Sequence, residues 1–272
     1  MLPPDDPEGR EAFWRDFLTN GDRRERRLRN VFRHLPSDPR CQLCAAPFKG
    51  PAAGVMRALG KRPSEKNPTV CNACYVFLAK HHGGAEIECT LLFADIRGST
   101  TIAEGMSSGS FRTLLDRFYS VASNVVFAHE GEVDKFVGDE LVALFFPFIA
   151  GARHADRAVA AARALLEATG HASADGPWVP VGAGVHTGPT WIGAVGDAAH
   201  TEITALGDTV NTTSRLASAA EAGQILVTVQ AAVAAGLDPT LPRRRIELKG
   251  KAEPTEVVSL TVPGTDRASM GA

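Results

Sequence analysis

The sequence predicts an α+β fold built on one mixed sheet, and three observations carry that reading. From Ala85 onward, short apolar runs alternate with longer amphipathic stretches. Two of those runs, at 133–137 and 141–146, are separated only by a Gly-containing turn, which marks a hairpin. The zone before residue 83 has a different composition, charged at first and then rich in Gly, Pro, Lys and paired cysteines.

The chain has 272 residues, 44% hydrophobic and 22% charged, with a formal net charge of −2. That is enough apolar sequence for one large core and a smaller module. The near-neutral balance argues against bulk electrostatic binding of nucleic acid or membrane. No apolar run reaches the roughly 18–20 residues that would span a bilayer. The opening "MLPPDDPEGREAFW" is too acidic and polar for a signal peptide, so a cytoplasmic location with reduced cysteines is expected.

Four segments are expected: a charged helical segment over 1–40, a four-cysteine module over 41–82, a catalytic domain over 83–264 and a flexible tail over 265–272. Phe13, Trp14, Phe17, Leu28, Val31, Phe32 and Leu35 have helical spacing, interrupted near "TNGD". "RRERRLRNVFR" (23–33) reads as a solvated basic face or a contact for an anionic partner. Further on, strands are expected at 88–95, 133–137, 141–146, 180–186, 191–196, 225–228, 244–248 and 256–262. Helices are expected at 110–129, 152–170, 208–221 and 229–236. In "ARHADRAVAAARALLEA" the apolar stripe leaves the histidine and arginines on the wet face.

Cys41, Cys44, Cys71 and Cys74 form CxxC-x26-CxxC. Thiolates two residues apart can face one ion, and two such pairs close a tetrahedral S₄ site. Structural zinc is the first reading, and an iron–sulfur cluster uses the same ligands. Four thiolates leave His81 and His82 no coordination position. Metal binding would supply folding energy that so small an apolar zone lacks. The loop's Lys49, Arg57, Lys61, Arg62 and Lys66 come with no aromatic residue beyond Phe48, which is thin support for nucleic-acid binding. Cys89, inside an apolar strand, reads as core.

"TLLFADIRGST" (90–100) delivers Asp95 from a strand into a turn, and in "VDKFVGDELVALFF" Asp139 sits in a turn that a strand leaves. Hard divalent cations reach proteins through one or two carboxylates plus substrate phosphates, and two aspartates at strand edges suit that task. The small residues Gly98, Ser99 and Thr100 would let backbone N–H groups face a polyphosphate where a helix begins.

With "TALGDTVNTTSRLA" (204–217) added, the sequence resembles the class III nucleotidyl cyclases over about 86–262. The resemblance implies a ferredoxin-like catalytic domain that forms cyclic AMP or cyclic GMP. It assigns "FADIRGST" to the first metal motif, with Asp95 and the Ile96 carbonyl as ligands. "DKFVGDE" is similar to the second, with Asp139. "VGAGVHTGPTWIGAVG" resembles the central Gly-rich strand. Asn211 matches the ribose-orienting asparagine and Arg215 the transition-state arginine. "ELKGKAEP" resembles the C-terminal strand, with Lys249 at the triphosphate. Two Mg²⁺ or Mn²⁺ ions per site are implied, and a homodimer whose sites are shared between subunits.

Lys135 and Thr204 match the positions that choose the purine in the family. Lysine donates to the adenine N1 acceptor, whereas the protonated N1 of guanine would face it donor to donor; threonine can accept from the exocyclic amine. ATP is therefore the expected substrate. A guanylate cyclase and a catalytically silent nucleotide-binding module are the alternatives.

Overall fold

The computed structural model describes residues 6–262 apart from 22, 36–38, 42, 69, 197–200 and 252. In chain order the first elements are α1 (Pro7–Thr19), α2 (Arg23–Arg33), α3 (Ala53–Ala58), α4 (Asn72–Lys80), β1 (Gly83–Ile96), α5 (Ser99–Glu104) and α6 (Ser108–Ala128). Then come β2 (Glu132–Val137), β3 (Glu140–Phe145), α7 (Pro147–Ala150), α8 (His154–Ala168), β4 (Val181–Gly196) and β5 (Thr201–Leu206). The chain continues through α9 (Asp208–Ala219), β6 (Gln224–Thr228), α10 (Val229–Ala234), β7 (Arg243–Ile246) and β8 (Thr255–Thr261). The strands form one sheet in the order β2-β3-β1-β4-β6-β8-β7, with β5 pairing β4. Most pairs are antiparallel, while β4 and β6 run parallel, so the expected mixed sheet is present.

The chain divides into two compact units, Met1–Ile87 with Trp191–Leu206, and Glu88–Thr190 with Gly207–Ala272. In the first, α1 begins at Asp6, whose side chain accepts from the Gly9 N–H, with Pro7 following the cap. Trp14, Phe17 and Leu18 are buried, and the Trp14 indole donates to the His81 carbonyl at 3.1 Å. His81 lies against Phe77, with ring centroids 4.5 Å apart, and its Nδ1 pairs with the Phe77 carbonyl. The Arg29 side chain of the basic helix is buried and donates to the Leu43 carbonyl at 2.8 Å, so this arginine braces the cysteine loop.

The cysteine module is a turn plus a helix start. A bridge between Arg40 and Pro47 closes the first turn, with Ala45 at φ 60° and its N–H on the Cys41 carbonyl. Cys71 caps α4 and Cys74 lies in its first turn. All four sulfurs fall within 4.8 Å of one another. The Cys71 N–H points at the Cys41 sulfur at 3.2 Å, and Lys61 Nζ stands 3.7 Å from that of Cys44. Burial works against the Lys61 charge, but the surrounding thiols outweigh it and hold its pKa above the ordinary value. Helix α4 packs on β5. β5 pairs with the second half of β4, Trp191 opposite Leu206 through Gly196 opposite Thr201. A Cβ on Gly193 would sit 2.4 Å from the Gly83 carbonyl, so only glycine permits that approach.

In the second unit the strands alternate between two cores. Leu92, Ala94, Ile96, Leu141, Ala143 and Phe145 face α6 and α8 through Phe118, Ala122, Val126, Leu165 and Leu166. Leu226, Val257 and Leu248 instead gather with Leu216 of α9 and with Ala220, which caps that helix. Cys89 is fully buried, as expected of a core cysteine, and burial pushes its thiol up to about 12.

Four sequence expectations are corrected. The runs at 180–186 and 191–196 are one strand, β4: Pro189 interrupts neither its parallel pairing, which ends at Val185, nor its antiparallel pairing, which begins at Trp191. β5 was absent from the expected strands because "TEITAL" is short and adjoins the motif that follows it. His154 is not on the wet face of α8; it is buried, and its Nδ1 pairs with the Thr90 hydroxyl, which also meets Thr187 at 2.7 Å. Lys249, in a motif likened to the C-terminal strand, lies in the turn between β7 and β8. The tail at 265–272 lies outside the described residues.

Candidate active site

Asp95 is the next-to-last residue of β1, directly opposite Glu140 in the β1–β3 register. Opposed residues of an antiparallel pair project to one face, so both carboxylates share a side of the sheet. Asp139 precedes Glu140 in the turn that Gly138 makes at φ 62°. Tyr119 of α6 closes this turn from above: its hydroxyl donates to the Gly138 carbonyl and its ring stacks on Phe136 at 4.1 Å. Burial, then the proximity of Asp139, lifts the Asp95 carboxyl to about 6, while Arg97 works in the opposite direction. Burial and the Asp95 charge lift Glu140 to about 7. A set of hard oxygen donors that repel one another is what a divalent cation relieves, so the donor chemistry fits Mg²⁺ or Mn²⁺.

Arg97 is a residue that sequence reasoning passed over. Its guanidinium pairs with Asp95 Oδ2 and donates from Nη1 to the carbonyls of Ser218 (2.8 Å) and Ala220 (3.5 Å) at the end of α9. Glu140 is tied to the same helix, accepting from the Ser214 hydroxyl at 3.4 Å. The signal for Arg97 was its position two residues beyond Asp95.

Helix α9 owes its place to the Gly-rich strand. A Cβ on Gly184 would meet the Ala217 N at 2.5 Å, and one on Gly182 the Ala220 carbonyl at 2.7 Å. The helix buries Thr209, Thr213, Leu216 and Ala217, spaced i, i+4, i+7, i+8. The Thr213 hydroxyl is satisfied by the Thr209 carbonyl and that of Thr209 by the Pro189 carbonyl. Asn211 and Arg215, four residues apart, therefore share the opposite, more open face. The 249–251 turn is latched to this face: Lys251 pairs with Asp208, and the Arg215 guanidinium lies over Gly250. Lys249 directly precedes Gly250 in this turn. Lys251, another residue the sequence reading passed over, holds the Asp208 carboxyl below its usual value. Burial, reinforced by the Lys251 charge, pushes His186 down to about 4, so its ring is neutral near pH 7; its Nδ1 pairs with the Thr228 hydroxyl.

Lys135 lies in β2 opposite Val142, beside a bulge that inserts Asp134 between it and Val133. Such an extra residue changes the face a side chain takes. Its ammonium lies 3.8 Å from Asp134. Thr204 belongs to the other compact unit, buried on β5 opposite Gly193. Gly98 adopts a left-handed conformation ahead of α5, where Ser99 and Thr100 form the first turn. Ile96 is buried in the sheet core.

Residues 84–260 match the family described as the adenylate and guanylate cyclase catalytic domain. The chain belongs to that family. It is 39% identical to adenylate cyclase 1 of Rhizobium meliloti over 144 residues, covering 50% of this chain and 22% of that protein. An uncharacterised protein of Mycobacterium tuberculosis is 31% identical over 194 residues, covering 66% of this chain and 34% of its own. The matched regions thus span about a fifth to a third of these relatives. The solved guanylyl cyclase Cya2 superposes with a TM-score of 0.59 at 27% identity, covering 65% of this chain and 93% of its own. The adenylyl cyclase CyaB from P. aeruginosa gives 0.57 at 28%, covering 65% and 95%.

Gly250 offers a direct test of the latch. Gly250→Ala places a methyl about 3.3 Å from the Arg215 guanidinium on a backbone at φ 75°, which only glycine adopts without strain. Cyclase activity is expected to fall at least about tenfold with a small loss of thermal stability, since strain at a left-handed position costs about 1 kcal/mol. Wild-type turnover in a folded Gly250→Ala protein would mean that Arg215 is not positioned from below by this turn.

Proposed function

We propose that this chain is an adenylate cyclase that converts ATP to 3′,5′-cyclic AMP and pyrophosphate, working as a homodimer with shared sites. The observation that carries the reading is the meeting of Asp95 and Asp139 where β1 ends and β3 begins, in a chain whose purine position, by the family resemblance, holds Lys135. Bound there, with the Ile96 carbonyl as a further ligand, Mg²⁺ or Mn²⁺ would lower the pKa of the ribose 3′-hydroxyl and offset the triphosphate charge. Asn211 orients the ribose, and Arg215 meets the charge that develops on the α-phosphoryl group. Lys249 holds the outer phosphates, and Gly98, Ser99 and Thr100 give them a small-residue turn. Lys135 donates to adenine N1 and Thr204 accepts from the exocyclic amine.

Purified protein assayed with ATP and GTP in Mn²⁺ decides the substrate, and the base-reading pair is tested by Lys135→Glu with Thr204→Cys. That exchange of donor for acceptor should raise the relative use of GTP by about 10²-fold or more, since a mismatched buried hydrogen bond discriminates on that scale. An unchanged ATP-to-GTP ratio would remove these residues from base recognition, and wild-type preference for GTP would select the guanylate cyclase reading.

Shared sites make a second prediction. Asp95→Ala and Arg215→Ala should each be nearly inactive, because every site lacks one essential group. Co-refolded, half of the dimers are mixed, each with one doubly damaged and one intact site, so activity should return to about a quarter of wild type. Mixed dimers without recovery would assign both residues to a single-chain site.

The four cysteines are assigned to structural zinc, one per chain, because a closed S₄ cage suits it and the sulfurs already lie close enough to share an ion. Elemental analysis should return about one zinc, and Cys71→Ser should lose it. Iron with labile sulfide would replace zinc by a cluster.

A further inference from the structure

Arg97 touches two parts of the reaction machinery at once. Its backbone is pinned, the N–H donating to the Pro180 carbonyl at 2.8 Å, and its side chain is only 21% exposed. One guanidinium nitrogen pairs with Asp95 Oδ2, and the other is fixed to the Ser218 and Ala220 carbonyls at the C-terminal end of α9. A helix C-terminus favours a cation, and a guanidinium does not lose its charge. The planar fork can bond a carboxylate and helix carbonyls together; a lysine ammonium, a single point, has no such reach.

We propose that Arg97 is a positioning residue, which turns the Asp95 carboxylate toward its metal and ties that carboxylate to the helix bearing Asn211 and Arg215. With Oδ2 held by the arginine, Oδ1 is left to the cation. The proposal rests on the reading of Asp95 as a metal ligand. Under the shared-site arrangement it goes further, because Asp95 and α9 of one chain serve different active sites. Arg97 is then a rigid strut between the two sites of the dimer. The proximity of its charge opposes the incoming cation electrostatically, while its geometry prepares the carboxylate. Metal affinity and turnover should therefore move in opposite directions when it is removed, which general loss of structure would not produce.

The experiment titrates Mn²⁺ into this 272-residue chain without nucleotide, following free Mn²⁺ by electron paramagnetic resonance, and separately measures kcat. Arg97→Gln should bind Mn²⁺ about five- to tenfold more tightly, the effect of deleting one charge near a divalent ion in a partly solvated site. Its kcat should fall about tenfold. Arg97→Lys keeps the charge, so its Mn²⁺ affinity should stay within about twofold of wild type while kcat falls similarly; it also serves if the glutamine variant does not fold. Unchanged or weakened Mn²⁺ binding in folded Arg97→Gln, or full kcat in Arg97→Lys, would overturn the proposal. Asp95→Asn is the control: if it leaves Mn²⁺ binding intact, the metal assignment of Asp95 fails rather than the role of Arg97.

Discussion

Like charges held together where β1 ends and β3 begins are the constraint around which the catalytic unit is arranged. The β1–β3 register sets Asp95 opposite Glu140, with Asp139 in the intervening turn. A slip of one residue would send Asp95 to the opposite face and into the apolar layer. The register is protected from such a slip because Leu92, Ala94, Leu141 and Ala143 are buried on one side of these strands. The apolar core thus stabilises an arrangement that electrostatics alone opposes, and burial first, then the neighbouring carboxylates, raise the carboxyls of Asp95 and Glu140.

Helix α9 is the second half of that arrangement. It lies close to β4 because Gly182 and Gly184 leave no side chain in its way. Three polar ties then set it: Arg97 at its end, Ser214 to Glu140 at mid-length, and Asp208 to Lys251 at its start. Each is modest in isolation; together they leave the helix one orientation, which presents Asn211 and Arg215 on one face. A single hydrogen bond contributes about 1 kcal/mol, so precision here comes from the number of ties and the tight glycine contact.

Much of this was legible in the sequence, for reasons that differ from residue to residue. The strand-end positions of Asp95 and Asp139 could be read because a carboxylate at the end of an apolar run is a local signal, while their metal role came only from the motifs taken together. Most strands and the long helices α6 and α8 followed from periodicity, with small shifts at their ends. His154 was misplaced because an amphipathic pattern weighs polarity and cannot see that Thr90 offers a buried partner. The continuity of β4 was missed because glycine and proline are local break signals, overridden here by pairing on both sides of Pro189. Arg97 and Lys251 stayed hidden for a related reason: apart from nearby Asp95, their partners lie far along the chain, at Ser218, Ala220 and Asp208, and only the fold brings them together.

The cysteine unit acquires a physical role from its neighbours within its own compact unit. Cys71 and Cys74 sit at the start of α4, so closing the four sulfurs on an ion would anchor that helix at its first turn. Helix α4 packs on β5, and β5 holds Thr204 buried opposite Gly193. Trp14 reaches the far end of α4 through the His81 carbonyl, and Gly83 lies under the same indole. With an ion at the cysteines the helix would be held at both ends, while its body packs on the strand that carries Thr204. With an ion bound, the module would gain rigidity from its thiolates and pass it through α4 to the β4–β5 hairpin, whose β4 strand also lies tight against β1 at Gly84 and Gly193.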